Sequence, residues 1–372
     1  MKYYLIAGEA SGDLHGSNLI KALKTQDTEA NIRCWGGDRM QNAGGTLAKH
    51  YKEMAFMGFW EVIQNLGTIK KNISFCKRDI AEFSPDVIIF IDFSGFNLRI
   101  ARWAKEHGYR THYYISPQIW ASREGRIKDI KRDIDFMYVI LPFEKDFYEG
   151  KHNYPVSFVG HPLLDAISER ESIDKSEFCA RHNLDADTPI IALLPGSRKQ
   201  EIEKMLHTML AIVPNFPDHQ FIIAGAPSLD ASFYDQFTQT ANVGFVHDQT
   251  YDLLDVSTAA LVTSGTATLE TALFEVPQVV CYKANWLSYQ IARRIITLSY
   301  ISLVNLIMDT EMVTELIQTD FNATRLKDEL QHILSGEKRE AQLRAYKEIK
   351  RKLGGSGASA KTAKLIVQNI IP

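Results

Sequence analysis

The 372-residue sequence lacks a strong excess of charge of either sign. Its 42 lysine and arginine residues nearly balance its 45 aspartate and glutamate residues, which leaves a formal net charge of −3. Such a balance argues against a protein that binds nucleic acid over a broad surface, so any basic patch must be local. Cysteine is scarce, with four residues and no CxxC pair, and this usage favours a reducing compartment over a disulfide framework or a zinc site.

Long apolar runs are also missing. No stretch approaches the roughly 18 to 20 apolar residues that span a bilayer. The apolar run at residues 3–7 stops at Gly8-Glu9, which is too short for a signal peptide and instead predicts a first β-strand. We therefore expect a cytoplasmic protein.

Several catalytic motifs are absent as well: the sequence has no P-loop, no HExxH and no GxSxG. Asp133-Ile134-Asp135 has the spacing of a metal-binding DxD motif, but no neighbouring acidic cluster supports it. We expect no metal ion and no cofactor.

The sequence does contain short apolar strands that alternate with segments of helical period. Their β-branched, continuously apolar character is typical of parallel sheets covered on both faces. We predict strands at residues 3–7, 32–35, 87–91, 111–115, 136–140, 157–159, 190–194, 221–224, 244–246, 260–262 and 279–282. We predict helices that include residues 16–25, 97–107, 338–352 and 358–370.

Two successive arrays of this kind predict an α/β protein with two doubly wound parallel sheets. We place the first domain at residues 1–163 and the second at residues 164–352. Glycines at 354–357 break the chain before a last helix. The segment 353–372 either crosses back to the first domain or is exchanged with a partner copy.

The most informative motif is Ser-Gly-Thr-Ala-Thr-Leu-Glu at residues 264–270, directly after the apolar run 259–262. A helix that starts here leaves its first amide N–H groups unpaired, and such groups can bind a phosphate. Glu270 lies one turn beyond Thr266, where a carboxylate can accept hydrogen bonds from sugar hydroxyls. Diphosphate and ribose together suggest a nucleotide. The alternative is an ordinary helix capped by Thr266.

A second anion site is predicted after the first strand of the second domain, at Pro195-Gly196-Ser197-Arg198. The backbone amides of Gly196 and Ser197 and the guanidinium of Arg198 can together surround an anion. In combination with residues 264–270 of the same domain, this tetrapeptide indicates a diphosphate site.

Two acidic residues follow strands of the first domain. Asp92 comes directly after strand 87–91, at the sheet edge where ligands of such folds bind. It is our leading candidate for a general base, because a sugar hydroxyl loses a proton as it attacks. Glu9, in the turn after the first strand, could orient a hydroxyl or take a proton. The alternative for both residues is that they only cap or shape the turn before the next helix.

Two further regions could contact an anionic or lipid substrate. Trp120 and Arg123 lead into a basic helix that starts near Arg126, and a basic cluster can bind anionic head groups. A dense apolar run could contact acyl chains or a membrane surface, and it consists of Met54, Phe56, Met57, Phe59 and Trp60. The ordinary alternatives are a solvated charged face and a buried core.

In this order, the motifs resemble lipid-A-disaccharide synthase, glycosyltransferase family 19, whose GT-B architecture places two Rossmann-like domains across a cleft. The resemblance covers almost the whole chain. It rests on residues 7–13, 57–58, 61–62, 85–87, 92, 96–97, 114–117, 141–144, 159–161, 193–198, 264–270, 301–303 and 305.

The resemblance implies an inverting transfer of 2,3-diacylglucosamine from UDP-2,3-diacylglucosamine to 2,3-diacylglucosamine 1-phosphate (lipid X). The products would be UDP and a β-1,6-linked disaccharide 1-phosphate. It also implies that the second domain holds UDP. The donor residues would be Gly196, Ser197, Arg198, Ser264, Gly265, Thr266, Ala267, Thr268, Glu270 and Asn305.

On the acceptor side, the resemblance implies that Glu9 and Asp92 lie in the cleft as catalytic residues. It also implies a protein bound peripherally to the cytoplasmic face of the inner membrane, possibly as a homodimer through the C-terminal segment, and without nucleic acid. This favours a lipid or membrane role for Met54, Phe56, Met57, Trp60, Trp120, Arg123 and Arg126.

Three positions depart from the family pattern. Gly95 stands where a second acid is common, Ser122 where a tryptophan is usual, and Val304 where a proline is usual. They leave acceptor preference and acyl-chain length open. Competing hypotheses are a UDP-sugar epimerase on the same architecture and a nucleotide-sugar-binding protein without activity. The acceptor-side motifs argue against the first, and intact Glu9 and Asp92 argue against the second.

Overall fold

A computed structural model of the chain describes residues 1–53, 66–227, 229–241, 243–285, 289 and 298–370. The chain divides into two compact units. The first comprises Met1–Arg170 and Leu353–Pro372, and the second comprises Glu171–Lys352. Each unit contains a parallel β-sheet with helices in its crossovers, which confirms the predicted α/β fold class.

The strands of the first unit are short and follow one another along the chain. They are β1 (Lys2–Ala7), β2 (Asn31–Gly36), β3 (Thr46–His50), β4 (Val87–Ile91), β5 (Thr111–Tyr114), β6 (Phe136–Val139) and β7 (Ser157–Phe158). Its helices are α1 (Ala10–Gln26), α2 (Asp38–Asn42), α3 (Leu66–Phe83), α4 (Ser94–Glu106), α5 (Ile127–Asp133), α6 (Pro142–Lys145), α7 (Pro162–Ser168) and, from the end of the chain, α16 (Ala358–Ile370).

The second unit repeats the scheme. Its strands are β8 (Ile190–Leu194), β9 (Gln220–Gly225), β10 (Gly244–His247), β11 (Ser257–Thr263), β12 (Gln278–Tyr282) and β13 (Glu315–Ile317). Its helices are α8 (Lys175–His182), α9 (Lys199–Leu210), α10 (Asp235–Ala241), α11 (Thr250–Val256), α12 (Thr266–Leu273), α13 (Leu303–Met308), α14 (Ala323–Leu334) and α15 (Glu337–Lys352).

Both sheets are doubly wound. The first has the order β3-β2-β1-β4-β5-β6-β7 and the second the order β10-β9-β8-β11-β12-β13, with every pair parallel. The direction of winding reverses between β1 and β4 in the first sheet and between β8 and β11 in the second. Ligands of doubly wound sheets bind at such switch points, beyond the carboxyl ends of the strands.

Burial explains which strands the sequence predicts and which it misses. Every residue of the central strands β4 and β8 is buried, so both read as continuous apolar runs. The strands β3 and β13 lie at sheet edges and are only partly buried, so they lack that signal. The helices α1 and α4 begin earlier than predicted, at Ala10 and Ser94, directly after the turns that follow their strands.

The end of the chain belongs to the first unit, where α16 packs against α1 and α7. Asp165 of α7 fixes the start of α16, because its carboxylate accepts the backbone N–H groups of Gly357, Ala358 and Ser359 at 2.5, 3.2 and 2.8 Å. These amides would otherwise be unpaired at the helix N-terminus. The first unit therefore extends to Arg170, beyond the predicted end at residue 163.

We predict that Asp165→Asn lowers the free energy of unfolding by about 1 to 3 kcal/mol, because an amide nitrogen would face backbone donors in a buried position. Urea unfolding followed by circular dichroism measures the change. Glu169→Gln is the control, since Glu169 makes only an exposed ion pair with Lys21 and should change stability little. An unfolding midpoint that Asp165→Asn leaves unchanged would contradict this role of Asp165.

Candidate active site

The register of β1 and β4 brings the two acidic candidates of the first unit to one place. Ala7 at the end of β1 pairs with Ile91 at the end of β4. The loops that carry Glu9 and Asp92 therefore leave adjacent strand ends at the switch point of the sheet. The geometry places both side chains at the edge where a ligand would bind.

The loop after β4 is strained and tightly held. Asp92 and Phe93 both have left-handed backbone conformations, with φ of 45° and 47°. Such conformations cost on the order of 1 kcal/mol each for residues other than glycine. The ring of Phe93 packs against Gly8, where an added Cβ would lie only 2.3 Å from ring atoms. Only glycine at position 8 therefore allows this packing.

Asn97 and Tyr113 hold the backbone of this loop. The buried Asn97 amide donates to the carbonyl oxygens of Ile6, Ile91 and Asp92 at 3.3, 3.3 and 2.8 Å. The Tyr113 hydroxyl donates to the Asp92 carbonyl at 2.5 Å. Asn97 thus joins the ends of β1 and β4, and Asp92 is fixed from two sides.

Asp92 has the electrostatics of a general base. Burial, followed by the charges of Glu9 and Glu144, raises the pKa of Asp92 from its ordinary 3.8 to about 6. A base with a pKa just below neutrality is ionised at neutral pH and still holds a proton well, which suits proton transfer. Glu9 is exposed at the N-terminus of α1 and makes no capping bond there.

Asp13, in the first turn of α1, has a structural role. It is buried, and its carboxylate accepts the backbone N–H groups of Gly37, Arg39 and Met40 at 2.6, 3.2 and 3.1 Å. It therefore fixes the loop after β2 and does not reach the sheet edge as Glu9 does.

Glu144 is a functional candidate that the motif analysis quoted but gave no role. Its side chain is 1% exposed and accepts four hydrogen bonds. The donors are Ser116 Oγ at 2.6 Å, Trp120 Nε1 at 3.1 Å, and the backbone N–H groups of Ile140 and Leu141 at 3.0 and 2.9 Å. Burial raises the pKa of Glu144. Glu144 thus positions the half-buried Trp120.

The basic candidates follow Trp120. Arg126 is half-buried, and its Nη1 lies 3.4 Å from the hydroxyl of Ser94, the first residue of α4. Arg123 is exposed and has a left-handed φ of 61°. Arg126 therefore lies beside the loop that carries Asp92, and Arg123 is close enough to Arg126 for its charge to act on it.

The apolar candidates Met54, Phe56, Met57 and Trp60 lie outside the described residues. Among the described residues, α3 lines a basic groove of about 810 Å³. Its cationic lining residues are Lys49, Lys70, Lys71, Lys77 and Arg78.

In the second unit, the register of β8 and β11 brings the two predicted anion motifs together. Leu194 pairs with Val262, so residues 195–198 and 264–270 leave neighbouring strand ends at the switch point. Both turns need glycine: Gly196 has a φ of 112° and Gly265 a φ of 133°. A Cβ on Gly196 would also lie 2.5 Å from a carboxylate oxygen of Glu201.

The start of α12 corrects one alternative. The N-cap is Gly265, not Thr266, and it makes no side-chain capping bond. Gly265 and Thr266 are exposed, while Ser264 and Ala267 are partly exposed. The Thr268 side chain is buried and donates to the Gly265 carbonyl at 2.8 Å, so it shapes the turn from inside.

Glu270 and Arg198 complete this edge. The Tyr251 hydroxyl, which the sequence analysis did not single out, donates to Glu270 Oε1 at 2.9 Å. Burial raises the pKa of Glu270, and this hydrogen bond opposes the shift. Ser197 and Arg198 are exposed directly before α9, where the Arg198 carbonyl accepts the first helical N–H groups.

Asn305 differs from the expectation of a direct contact with UDP. Its side chain is fully buried, and both ends are occupied. Oδ1 accepts the N–H groups of Met312 and Val313 at 2.8 and 3.0 Å, and Nδ2 donates to the Val313 carbonyl and to Glu315 at 2.9 Å each. Glu315 also accepts the hydroxyl of Ser302 at 2.7 Å. Asn305 therefore organises the segment around α13 from within.

Among the described residues, no three His, Cys, Asp or Glu side chains are grouped as metal ligands. In the same part of the chain, no helix combines the length and apolar character needed to cross a membrane.

Comparison with known proteins identifies relatives of the whole chain. The sequence model of a family described as "Lipid-A-disaccharide synthetase" matches residues 3–370. The lipid-A-disaccharide synthase of Geobacter sulfurreducens is 38% identical over 374 residues, which cover 98% of this chain and 96% of that protein.

Solved structures share the fold at low sequence identity. The UDP-GlcNAc 2-epimerase from Neisseria meningitidis, bound to UDP-GlcNAc, has a TM-score of 0.68 and 13% identity and covers 100% of both chains. The glycotransferase of kitacinnamycin has a TM-score of 0.69 and 13% identity and covers 100% of this chain and 99% of its own. The likeness extends to both glycosyltransferases and epimerases, so it establishes the GT-B fold and not the reaction.

We predict that Asp92→Asn stabilises the protein in a pH-dependent way. The folded-state pKa of about 6 lies above the ordinary 3.8, so the folded chain binds more protons than the unfolded chain between about pH 4 and 6. Stability therefore falls as the pH rises through this window. Above it, removal of the charge should raise the free energy of unfolding by up to about 3 kcal/mol.

Urea unfolding of wild type and Asp92→Asn at pH 4 and pH 7.5 measures this effect. Relief of backbone strain, which asparagine also provides, contributes equally at both pH values, so the difference between them isolates the charge. An equal gain at pH 4 and pH 7.5 would show that the raised pKa of Asp92 is wrong.

Proposed function

The chain belongs to the lipid-A-disaccharide synthase family, hexosyltransferases of lipid A biosynthesis, and we propose that it joins two diacylated glucosamines. In this proposal the donor is UDP-2,3-diacylglucosamine and the acceptor is 2,3-diacylglucosamine 1-phosphate (lipid X). The main support for this proposal comes from the switch points of the two sheets. One has two neighbouring turns suited to bind an anion, at residues 195–198 and 264–270, and the other has Asp92 with a raised pKa.

The reaction is a single displacement with inversion at C1 of the donor sugar. The 6-hydroxyl oxygen of the acceptor bonds to C1 while the bond from C1 to the β-phosphate oxygen of UDP breaks. The hydroxyl proton passes to the carboxylate of Asp92, and UDP leaves with the electron pair. The products are UDP and the β-1,6-linked disaccharide 1-phosphate.

In the second unit, Gly265 and Thr266 are exposed residues at the start of α12, which supports a role of their backbone amides in binding the diphosphate. The exposed Ser197 and Arg198, in the neighbouring loop, support the same role and could stabilise the charge of the departing UDP. Glu270, held by Tyr251, is suited to accept hydrogen bonds from the ribose. We assign Asn305 a positioning role.

In the first unit, Asp92 is the proposed general base. Its rigid backbone and raised pKa support this role. Burial raises the pKa of Asp92 most, and the charge of Glu9 raises it further. Glu9 lies in the loop after the adjacent strand β1, which supports a role in orienting the acceptor.

The lipid substrates support a location at the cytoplasmic face of the inner membrane, with the chain bound peripherally. The basic groove of α3 fits anionic head groups. Met54, Phe56, Met57 and Trp60, which precede α3 in the sequence, could insert among acyl chains. A homodimer through exchange of α16 would have to replace the bonds that Asp165 makes within its own chain.

Purified protein with UDP-2,3-diacylglucosamine and lipid X should form UDP and the disaccharide 1-phosphate, as measured by mass spectrometry. If the protein is folded but forms no disaccharide, the proposed substrates are wrong. An epimerised UDP-sugar as the product would point to the competing epimerase, and bound but unchanged UDP-sugar would point to an inactive binding protein.

We predict that Asp92→Asn reduces turnover at least a thousandfold while UDP binding persists, because the base is lost and the donor site is untouched. Wild-type turnover should fall with one protonation below about pH 6, since only the ionised Asp92 can accept a proton. Asp86→Asn, an exposed acid at the other end of β4, is the control. Loss of UDP affinity in Asp92→Asn would instead make Asp92 a donor-site residue.

We predict that Arg198→Ala weakens UDP binding by about 1.5 to 3 kcal/mol, because a charge-assisted hydrogen bond to the diphosphate is removed. Isothermal titration with UDP measures the loss. Arg181→Ala, which removes an exposed arginine paired with Glu177 in the same unit, should leave affinity unchanged. Equal UDP affinity of wild type and Arg198→Ala would exclude Arg198 from the diphosphate site.

A further inference from the structure

Three arginines are crowded beside the loop that carries Asp92. Arg126 ends a short 3-10 turn, Arg123 precedes that turn, and Arg99 lies in α4. Burial lowers the pKa of Arg126, and the charges of Arg123 and Arg99 lower it further. Arg126 is thus close enough to Arg123 and to Arg99 to be repelled by both charges, which is unfavourable unless an anion lies beside it.

The acids nearest in sequence are engaged elsewhere. Glu124, between Arg123 and Arg126, pairs with Lys151 at 2.7 Å and with His152 at 3.0 Å. Asp129 pairs with Arg132 at 3.0 Å. Across the ranges that the structure describes, no carboxylate forms an ion pair with Arg99, Arg123 or Arg126. Asp129 acts on Arg126 through its charge but forms no ion pair with it, so the cluster has no direct acidic partner among these residues.

Other arginines of the same helices are compensated. Arg102, three residues after Arg99 in α4, pairs with Glu106 at 3.1 Å. Arg132 of α5 pairs with both Asp129 and Asp133. The arginines of α4 and α5 that lie outside the cluster therefore have acidic partners, whereas those of the cluster form no ion pair in the described part of the chain.

The cluster lies next to the proposed base. Arg126 Nη1 is 3.4 Å from the hydroxyl of Ser94, and Ser94 follows Asp92 by two residues. In the proposed acceptor, C1 carries the 1-phosphate and the CH2 group on C5 carries the attacking 6-hydroxyl, and both carbons flank the ring oxygen, so the two groups reach neighbouring positions of one binding site. A phosphate held by the arginines would therefore leave the hydroxyl free to approach Asp92.

We propose that Arg126 and Arg123, assisted by Arg99 and the Ser94 hydroxyl, bind the phosphate monoester of the acceptor sugar. This assignment rests on the proposed function and identifies the residues that would select a phosphorylated acceptor. The planar guanidinium fork matches phosphate geometry, and a monoester carries between one and two negative charges near neutral pH. Phospholipid head groups offer a related phosphate chemistry, so the experiment must separate the two sources.

The test compares lipid X with 2,3-diacylglucosamine, the same sugar without phosphate, both in detergent. Arg126→Ala and Arg123→Ala should each lower kcat/KM for lipid X about tenfold to a hundredfold and leave the value for the unphosphorylated sugar nearly unchanged. Arg126→Lys should lower kcat/KM for lipid X less than Arg126→Ala does, because lysine keeps the positive charge and loses only the planar guanidinium group. The KM for the donor should not change, and Arg102→Ala should behave as wild type.

A wild-type preference for lipid X that survives in both alanine variants would overturn the assignment. Binding to vesicles of phosphatidylglycerol and of phosphatidylcholine tests whether the cluster binds phospholipid head groups. If the variants lose binding to phosphatidylglycerol but keep the preference for lipid X, the cluster binds membrane head groups instead. Thermal unfolding and UDP binding of each variant show that it is folded.

A binding measurement decides the question without turnover. Glucosamine 1-phosphate should bind wild type at least tenfold more tightly than Arg126→Ala in isothermal titration, and equal binding would refute the site. If wild type binds this probe but makes no disaccharide from either acceptor, the proposed reaction fails while the phosphate site stands.

Discussion

Both candidate sites depend on the register of one pair of parallel strands. In each sheet, two strands that are distant in sequence become neighbours where the winding reverses, and they end level with each other. The loops that continue from them diverge to opposite faces of the sheet and leave a crevice for a ligand. Strand pairing thereby brings the loop of Glu9 beside the loop of Asp92, and the loop of Gly196 beside the loop of Gly265.

Register places these loops, and buried polar side chains fix their shape. Asn97, Glu144, Asn305 and Glu315 each use several hydrogen bonds to hold backbone at a strand end or beside a helix start. Several hydrogen bonds from one buried side chain restrict the backbone that they hold, and a restricted loop can keep residues such as Asp92 in strained conformations. The charge of Glu144 also contributes to the raised pKa of Asp92, so one residue serves both packing and electrostatics.

The sequence could predict what local patterns encode. Central strands are buried on both faces and form apolar runs, and the anion-binding turns contain glycine and hydroxyl residues at short spacing. Edge strands such as β3 lack that pattern. The roles of Tyr251 and Glu144 depend on partners 19 and 24 or 28 residues away, which no local pattern specifies. The family resemblance implies that Asn305 contacts UDP, whereas its burial depends on Met312, Val313 and Glu315, which lie seven to ten residues further along the chain.

The return of α16 to the first unit makes that unit discontinuous in sequence, and this has a consequence for its synthesis. A ribosome delivers β1 to α7 first and then all of the second unit before residues 353–370 emerge. The face of α1 that α16 covers is therefore exposed on the nascent chain while the second unit forms, although domains otherwise tend to fold in the order of translation. The unit that is made first is thus the last to be completed.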